Sequence, residues 1–580
     1  MENGKWKLEI GKEKNNISNL QPPISNFQLP FISTFHSLGV YILRQDGKKI
    51  GVPKNFSILD EDDSLKIIKD CLKELDLNQE SFQPSRIRSF ISQQKNKLID
   101  SRKFSEEANN YFPKIAAEVW SLYEEKLKNQ SALDFDDLIM KTIVLLRLEP
   151  DILKKYQDKW QFVHIDEYQD TNYGQYILSR LLTGENGNIC VVGDADQAIY
   201  SFRGADFTNI LRFEKDWKNA KIITLETNYR STQNILDAAN AAISFNKTRV
   251  AKNLWSAAGE KGSQPSFSAA ENEIEEGEFV ADKIEDLFET RSSQKIAFPA
   301  RDSVAVLLRT NFQSRIFEEI FLKRGIPYEM FGVKFYERKE IKDILAYLKY
   351  SLNQNDFLSF GRIVNAPPCG IGEKTLLKYF KKDKNIQAEK RKRLDRIEKL
   401  IEHISKLIQI LSPSSLIKQI FKESGFQDYL ENLGEEGLRK TENIKEMVSL
   451  AKKYDSFPSP FGTEKLLEDS VLMSEQDALK EDIKGVKIMT VHAAKGLEFD
   501  NVFTAGLEEG LFPYFGWNDL DKEIKLEEER RLFYVALTRA RKNAFLSYAK
   551  TRTIFGEKKI NKPSRFLGEI ESWLAVDNSL

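Results

Sequence analysis

The sequence predicts an α/β protein with two parallel-sheet regions, each interrupted by a helical block. Two observations and one packing rule carry this expectation. Short apolar runs alternate with segments of helical period. Strands separated by helices pair in parallel. The alternation is broken twice by long stretches whose apolar spacing is helical only. At 580 residues and about 100–200 residues per domain, the chain has room for several folding units.

Composition sets the outer limits. Hydrophobic residues make up 41% and charged residues 30%, the mixture of a globular protein with a full core. A net charge of -1 excludes a uniformly basic surface, so any nucleic-acid surface must be local. The cysteines Cys71, Cys190 and Cys369 and the histidines His36, His164, His403 and His492 form no CxxC or HExxH pattern. That argues against a zinc cluster or disulfide framework and fits a reducing compartment. The N-terminus MENGKWKLEIGKEK lacks the apolar core of a signal peptide, and no apolar run is long enough to span a bilayer. A cytoplasmic location and no membrane partner are expected.

Taken in order, residues 1–30 are broken by Asn, Pro and Ser and read as irregular. A short apolar start at Phe31 leads into TFHSLGVYILR, read as a strand end and then a helix. Residues 60–148 are mostly helical, as in DDSLKIIKDCLKEL and 105–128. FVHI (162–165), NICVVG (188–193), KIITLE (221–226) and SVAVLLR (303–309) read as strands. Residues 338–475 return to helix, and their run KKDKNIQAEKRKRLDRIEKL reads as a solvated helix face. VKIMTV (486–491), NVFTAG (501–506) and NAFLSYA (543–549) resume the sheet, with a helical pattern over 527–542.

The chemistry-bearing residues sit at the ends of these strands. FVHIDEYQDTN closes a strand on Asp166 and Glu167. Ligands of parallel α/β sheets bind beyond the carboxyl ends of strands, where one carboxylate can hold Mg²⁺ and its neighbour can orient water. A plain polar turn is the competing reading. VVGDADQAIYSFRGAD ends a second strand with Asp194 and Gln197, followed by Tyr200, Phe202 and Arg203. Gln197 is suited to hydrogen-bond a γ-phosphate, and the aromatics either stack bases, worth about 1–3 kcal/mol each, or pack in the core. LETNYRS presents Tyr229 beside Arg230, a pairing suited to adenine stacking and phosphate contact. EEERRLFYVALTRARK spaces Arg531, Val535 and Arg539 by four. It reads as an arginine finger or as a helix laced with pairs such as Glu527–Arg531. VKIMTVHAAKGLEFDNVF places Thr490 and His492 at a strand end, a Lys495-Gly496 turn next and Glu498 beyond it. TFHS puts Thr34 and His36 in a similar position.

Together and in this order, DEYQDTN, GDADQAIYSFRGAD, NYRS, TVHAAKGLEFD and YVALTRAR resemble the motifs of the UvrD/PcrA/Rep family of superfamily 1 DNA helicases. LDFDDL (133–138), LLRTNFQSR (307–315) and FYERKEIKDILAYL (335–348) add to the resemblance, which runs from about TFHSLG to the end. It implies two RecA-like P-loop-NTPase domains, the first incomplete, each with a mainly helical insertion. The expected division is 1–40 with 130–231 for the first domain and 41–129 for its insertion. The second domain is 232–345 with 483–580, its insertion 346–482. The resemblance also implies an ATP-dependent 3′–5′ DNA helicase. ATP and Mg²⁺ would be its cofactors, and single-stranded DNA and single-strand/duplex junctions its partners. Carried over by position, Asp166 and Glu167 would serve magnesium and the attacking water, Gln197 would sense the γ-phosphate, and Tyr229 would stack near adenine. Arg230 and Arg539 would contact the γ-phosphate, and Glu498 the ribose. Thr34, His36, Tyr200, Phe202 and His492 would lie along DNA, with Phe202 where many relatives carry Trp. Gly370 and Gly372 in PPCGIGEKT would open a helix whose N–H groups hold a duplex phosphate.

One departure stands out. The family's GxxxxGK[S/T] phosphate loop is absent from the sequence. Gly4-Lys5, Gly11-Lys12 and Gly47-Lys48 each lack the glycine five positions earlier. The expectation is a truncated or split form, inactive as an ATPase alone, with exposed edges on its first sheet and a separate N-terminal fragment as partner. The alternatives are a non-catalytic DNA-binding protein derived from a helicase, and the motor part of a helicase–nuclease. Against the latter, the sequence stops soon after SRFLGEIESWLAVDNSL.

Overall fold

The computed structural model describes residues 30–79, 81–184, 187–292, 303–330, 336, 338–368, 370–380, 385–432, 435–472, 485–515, 522–554 and 557–576. The irregular segment expected at the N-terminus lies almost wholly outside these residues. Helix Phe35–Asp46 begins where the Thr34 side chain accepts from the Ser37 amide at 3.1 Å. Residues 30–34 are not a strand, since among the described residues no ladder partner meets them. The helix buries Val40, Ile42 and Leu43 against helix Phe135–Leu148. Gly39 is required there, because a Cβ would meet the Leu138 carbonyl oxygen at 2.4 Å.

The first helical block comprises Glu61–Glu74, Pro84–Asn96, Ser101–Glu107 and Tyr111–Asn129, around a core with Cys71, Trp120 and Tyr123. Short strands β1 (Ser57–Ile58) and β2 (Ala132–Leu133) pair in parallel where the chain enters and leaves it. Strands β3 (Val163–Ile165) and β4 (Ile189–Val191) then pair in parallel, Val163 opposite Ile189. The third strand expected at 221–226 does not form. Instead β5 (Thr227–Asn228) pairs with β6 (Trp255–Ser256). A strand is a pairing rather than a composition, and Ile222, Ile223 and Leu225 are largely exposed, as are Phe162 and Val192 beside β3 and β4.

The second sheet consists, among the described residues, of β7 (Ser266–Asn272), β8 (Val304–Leu308), β9 (Tyr328–Met330), β10 (Val486–Thr490), β11 (Phe499–Thr504), β12 (Ala540–Ile554), β13 (Glu557–Ile560) and β14 (Ala575–Val576). Their order is β14-β7-β12-β11-β8-β10-β9, all parallel, with β13 antiparallel on β12. All five β8 residues are buried, as a central parallel strand covered on both faces requires. Helices Gln233–Ser244 and Lys522–Leu537 pack on one face, Glu273–Ser292 and Ser314–Arg324 on the other. The helical pattern read over 527–542 stops at Leu537. Thr538 Oγ1 donates to the Tyr534 and Val535 carbonyls, and Arg539 Nε to that of Val535. Side chains thus take the orphan carbonyls that a further turn would have used.

Between β9 and β10 the second helical block runs from Lys339–Leu352 to Phe461–Leu472, around Ile344, Leu348, Ile404, Ile417 and Met447. The charge run forms helix Ala388–Leu407, which buries Leu394, Ile401 and Ile404. Its other face carries i,i+4 pairs such as Arg391–Asp395 and Lys406–Glu402. This is the solvated face read from the sequence. Among the described residues, no helix is long and apolar enough to cross a membrane.

Candidate active site

The ends of β3 and β4 meet. Asp166 and Glu167 follow β3, both exposed, and Glu167 holds a left-handed backbone at φ +52°. Gln169, fully buried, ties the two ends together: its Nε2 donates to Glu167 Oε2 at 2.5 Å and its Oε1 accepts from the Asp194 amide at 2.9 Å. Gln197 Nε2 donates to Asp194 Oδ2 at 2.9 Å. Gly193 must stay bare between them, since a Cβ would lie 2.5 Å from Gln169 Oε1.

The turn after β5 and the start of β12 together supply an arginine cluster. Asn228 Oδ1 accepts from the amides of Arg230 and Ser231 at 2.8 Å, turning the chain after β5. Arg230 Nε donates to Glu498 Oε2 at 2.5 Å, and Arg541 pairs with the other Glu498 oxygen. The bonds from Arg230 and Arg541 hold the Glu498 carboxyl below its usual range. Tyr229 is 87% exposed, its ring open to solvent among the described residues. Arg539 is 2% exposed, and among the described residues its hydrogen bonds go to neutral acceptors: the Val535 and Leu497 carbonyls and Thr538 Oγ1. Burial, and then the neighbouring Arg230 charge, push its guanidinium down to about 10. Glu167 and Glu498 also act on it electrostatically, so the carboxylate after β3 and the one between β10 and β11 both lie near this guanidinium.

A second cluster adjoins the first. The Tyr200 hydroxyl donates to the His492 carbonyl at 3.0 Å. Phe202, 61% exposed, meets the His492 ring edge-on at 5.3 Å. Arg203 lies 5.4 Å above the Tyr200 ring and 5.6 Å above that of Phe202. Burial holds His492 down at about 3, with Arg309, Lys525 and Arg203 adding to the effect. Thr34 is a helix cap, and His36 packs edge-on against Phe135 at 5.4 Å. Phe135 lines the same cavity as Phe202 and Arg203. Gly370, at φ +74°, and Gly372 sit apart from both clusters, in the second helical block. Gly372 O accepts from the Thr375 amide in the first turn of helix Glu373–Phe380. Cys369 in that loop lies outside the described residues.

Sequence reading had singled out neither Gln169 nor Asp170, Lys495 or Arg541. Gln169 and Asp170 lie inside DEYQDTN, and Lys495 inside the turn before Glu498. Polarity alone gave no signal, since their neighbours are polar too, and the partners of Lys495 and Arg541 lie far away in sequence.

The UvrD/REP helicase N-terminal domain family matches residues 9–218, and the UvrD-like helicase C-terminal domain family matches 223–551. The chain is 43% identical over 564 residues to the ATP-dependent DNA helicase PcrA of Bacillus subtilis, an alignment covering 93% of this chain and 75% of that protein. PcrA of Leuconostoc citreum is 40% identical over 565 residues (93% and 74%), and PcrA of Staphylococcus epidermidis 41% over 564 (94% and 76%).

Proposed function

The chain belongs to the UvrD-like family of DNA helicases, and from that premise we propose that it is the motor of a 3′–5′ single-strand translocase. Its ATP site would be the cleft between the two RecA-like domains, with helical insertions at 41–129 and 346–482. The observation that carries the reading is Arg539: a buried guanidinium whose hydrogen bonds, among the described residues, go to neutral acceptors is favoured there if an anion arrives to pair with it. Arg230 would leave Glu498 for the same phosphate, freeing Glu498 Oε2 for a ribose hydroxyl. Tyr229 offers its open ring to the base, and Gln197 an amide to the γ-phosphate.

Magnesium would bring charge neutralisation to the transferred phosphoryl group. Asp166 suits it: the carboxylate is exposed and takes a hydrogen bond from the Glu167 amide. Magnesium is commonly held by one or two carboxylates together with phosphates and water. Glu167 would accept the proton of the attacking water. Tyr200, Phe202, His492, Thr34 and His36 would bind the single strand, and the Gly370–Gly372 turn a duplex phosphate at the junction.

The printed sequence holds no GxxxxGK[S/T] string. A polypeptide of this sequence therefore calls for that loop from a further segment, contiguous or separate, before it holds Mg-ATP well. Strand displacement tests both parts. The polypeptide alone is expected to bind 3′-tailed duplex but not to unwind it with Mg-ATP. Efficient unwinding of that duplex would overturn the dependence on a further loop, and unwinding of a 5′-tailed duplex would overturn the polarity. DNA binding that stays inert after a loop-bearing segment is supplied would favour the non-catalytic alternative.

A further inference from the structure

The charge run near residue 390 has no role in the cleft. It forms helix Ala388–Leu407, which carries seven lysines and arginines against four acids, in a chain of net charge -1. All four acids have partners. Glu389 pairs with Arg393 at 2.7 Å, Asp395 with Arg391 at 2.9 Å and Glu402 with Lys406 at 3.0 Å, while Glu398 accepts from the Tyr379 hydroxyl. Lys390 is half-buried. That leaves Lys392, Arg396 and Lys399, all exposed and, among the described residues, in no ion pair. Spaced by four and three, they are neighbours on one line of the helix surface, on the side opposite buried Leu394. The line adjoins a backbone turn. Arg393, next to Lys392, lies so near Gly370 that a Cβ there would meet its Nη1 at 3.3 Å. A Cβ on Gly372 would meet nothing within 4 Å, so the turn is open to approach. Phe360, Val364, Ile371, Leu376 and Leu394 form one apolar cluster that holds turn and helix together.

We propose that Lys392, Arg396 and Lys399 bind backbone phosphates of the duplex arm of a junction, beyond the phosphate assigned to the Gly370–Gly372 turn. The inference rests on the proposed function and goes beyond it, since it gives the charged helix of the second helical block a DNA surface of its own. Positive charge alone suits any polyanion, and the geometry selects the duplex. At 1.5 Å per residue the line is a rigid row roughly 10 Å long, and duplex DNA presents one negative charge per about 1.7 Å of its axis. Single strands are held by bases stacking on rings between cations, and helix Ala388–Leu407 carries no Phe, Tyr or Trp. Cations without rings match a backbone whose bases are already stacked inside. A face that merely kept the helix soluble would release no counterions when DNA binds.

The test is fluorescence anisotropy of the full chain across a salt series, with a 3′-tailed duplex and with oligo(dT) of the tail's length. Each duplex phosphate contact contributes about 0.9 to the slope of log K against log salt. Lys392→Gln, Arg396→Gln and Lys399→Gln together are expected to cut the tailed-duplex slope by about 2–3 and to leave the oligo(dT) slope as it was. Lys392→Arg with Lys399→Arg keeps the cations and should keep the native slope. Lys406→Gln removes a cation already paired on the same helix and should change neither slope. Should the triple variant fail to fold, Arg396→Gln alone carries the expectation, at about 0.9. An unchanged tailed-duplex slope, an equal fall with oligo(dT), or the same loss in Lys406→Gln overturns the duplex surface. A native chain that binds neither DNA would instead overturn the proposed function.

Discussion

His492 sits among cations, with Arg309, Lys525 and Arg203 acting on it, and burial keeps it neutral down to about pH 3. His36 is held neutral by burial to about 4. Both values lie below the ordinary 6.5. The stability gained by burying these neutral rings is therefore complete above the unfolded value and is lost as pH falls from 6.5 toward those lower values. Neither ring can act as a cation on DNA near neutrality. Oligo(dT) affinity, measured by anisotropy at fixed salt, should be flat with respect to these groups between about pH 6 and 8. An affinity that climbs toward pH 6 and loses that climb in His492→Gln would contradict the assignment. Phe202→Ala, by contrast, should weaken binding at every pH by about 1–3 kcal/mol if its ring stacks a base. Glu167 and Arg230 were read at strand ends, Glu498 beyond a turn and Arg539 on a helix; what sequence could not give is that the first three all act electrostatically on Arg539. Lys495 was not singled out, because its partners Asp170 and Gln197 lie some three hundred residues earlier.

Within elements, the second sheet was legible for a physical reason. β8, β10 and β11 are apolar enough to be buried on both faces, and burial on both faces specifies a central parallel strand. The segment 221–226 carries Ile222, Ile223 and Leu225 yet forms no strand and stays exposed, since composition cannot supply a neighbouring strand. Sequence was also silent on the ionic knot that locks β12 to its surroundings. Arg552 on β12 is buried between Glu276 of helix Glu273–Ser292 and Glu508 after β11. Glu276 accepts from the Gly506 amide at 2.8 Å and the Ser547 hydroxyl at 2.9 Å, and Glu508 from the Ala549 amide at 3.0 Å. Burial pushes Glu508 up, opposed by Arg552. Arg552→Met would strand two buried carboxylates and should cost about 3–5 kcal/mol. Glu276→Gln keeps an acceptor and should cost less, about 1–3 kcal/mol. Urea unfolding followed by amide exchange on β11 and β12 separates the two; equal losses would show that the knot is not electrostatic in origin.

At the scale of the whole molecule, the order of sheets and helical blocks could be read from sequence, but their mutual placement could not. The contacts that set it are few, polar and distant in the chain. Lys342 pairs with Asp60 at 2.9 Å and Asp62 at 2.8 Å, Lys349 lies 3.7 Å from Asp63, and Asn353 donates to Ser57 Oγ at 2.8 Å. These join the second helical block to the first across a cavity of about 1450 Å³ whose wall includes Phe202 and Arg203. The acids sit at the start of helix Glu61–Glu74, where the helix dipole also favours negative charge. Only Asp62 is largely exposed; partly shielded pairs of this kind contribute on the order of 1 kcal/mol each, and they weaken at about 1 M salt, where the Debye length falls to about 3 Å. Closure is therefore held by a small margin, while each block keeps its own apolar core. Reversing both lysines, Lys342→Glu with Lys349→Glu, should swing the blocks apart and widen the cavity without unfolding either one. A spin-label distance between helix Pro84–Asn96 and helix Lys339–Leu352 should lengthen in the variant, and in the native chain at high salt. Adding Asp60→Lys and Asp63→Lys should shorten it again by restoring opposite charges across the gap. An unchanged distance in the doubly reversed chain at low salt would mean that packing, not charge, keeps the cavity closed. The path toward Phe202 would then be fixed rather than gated.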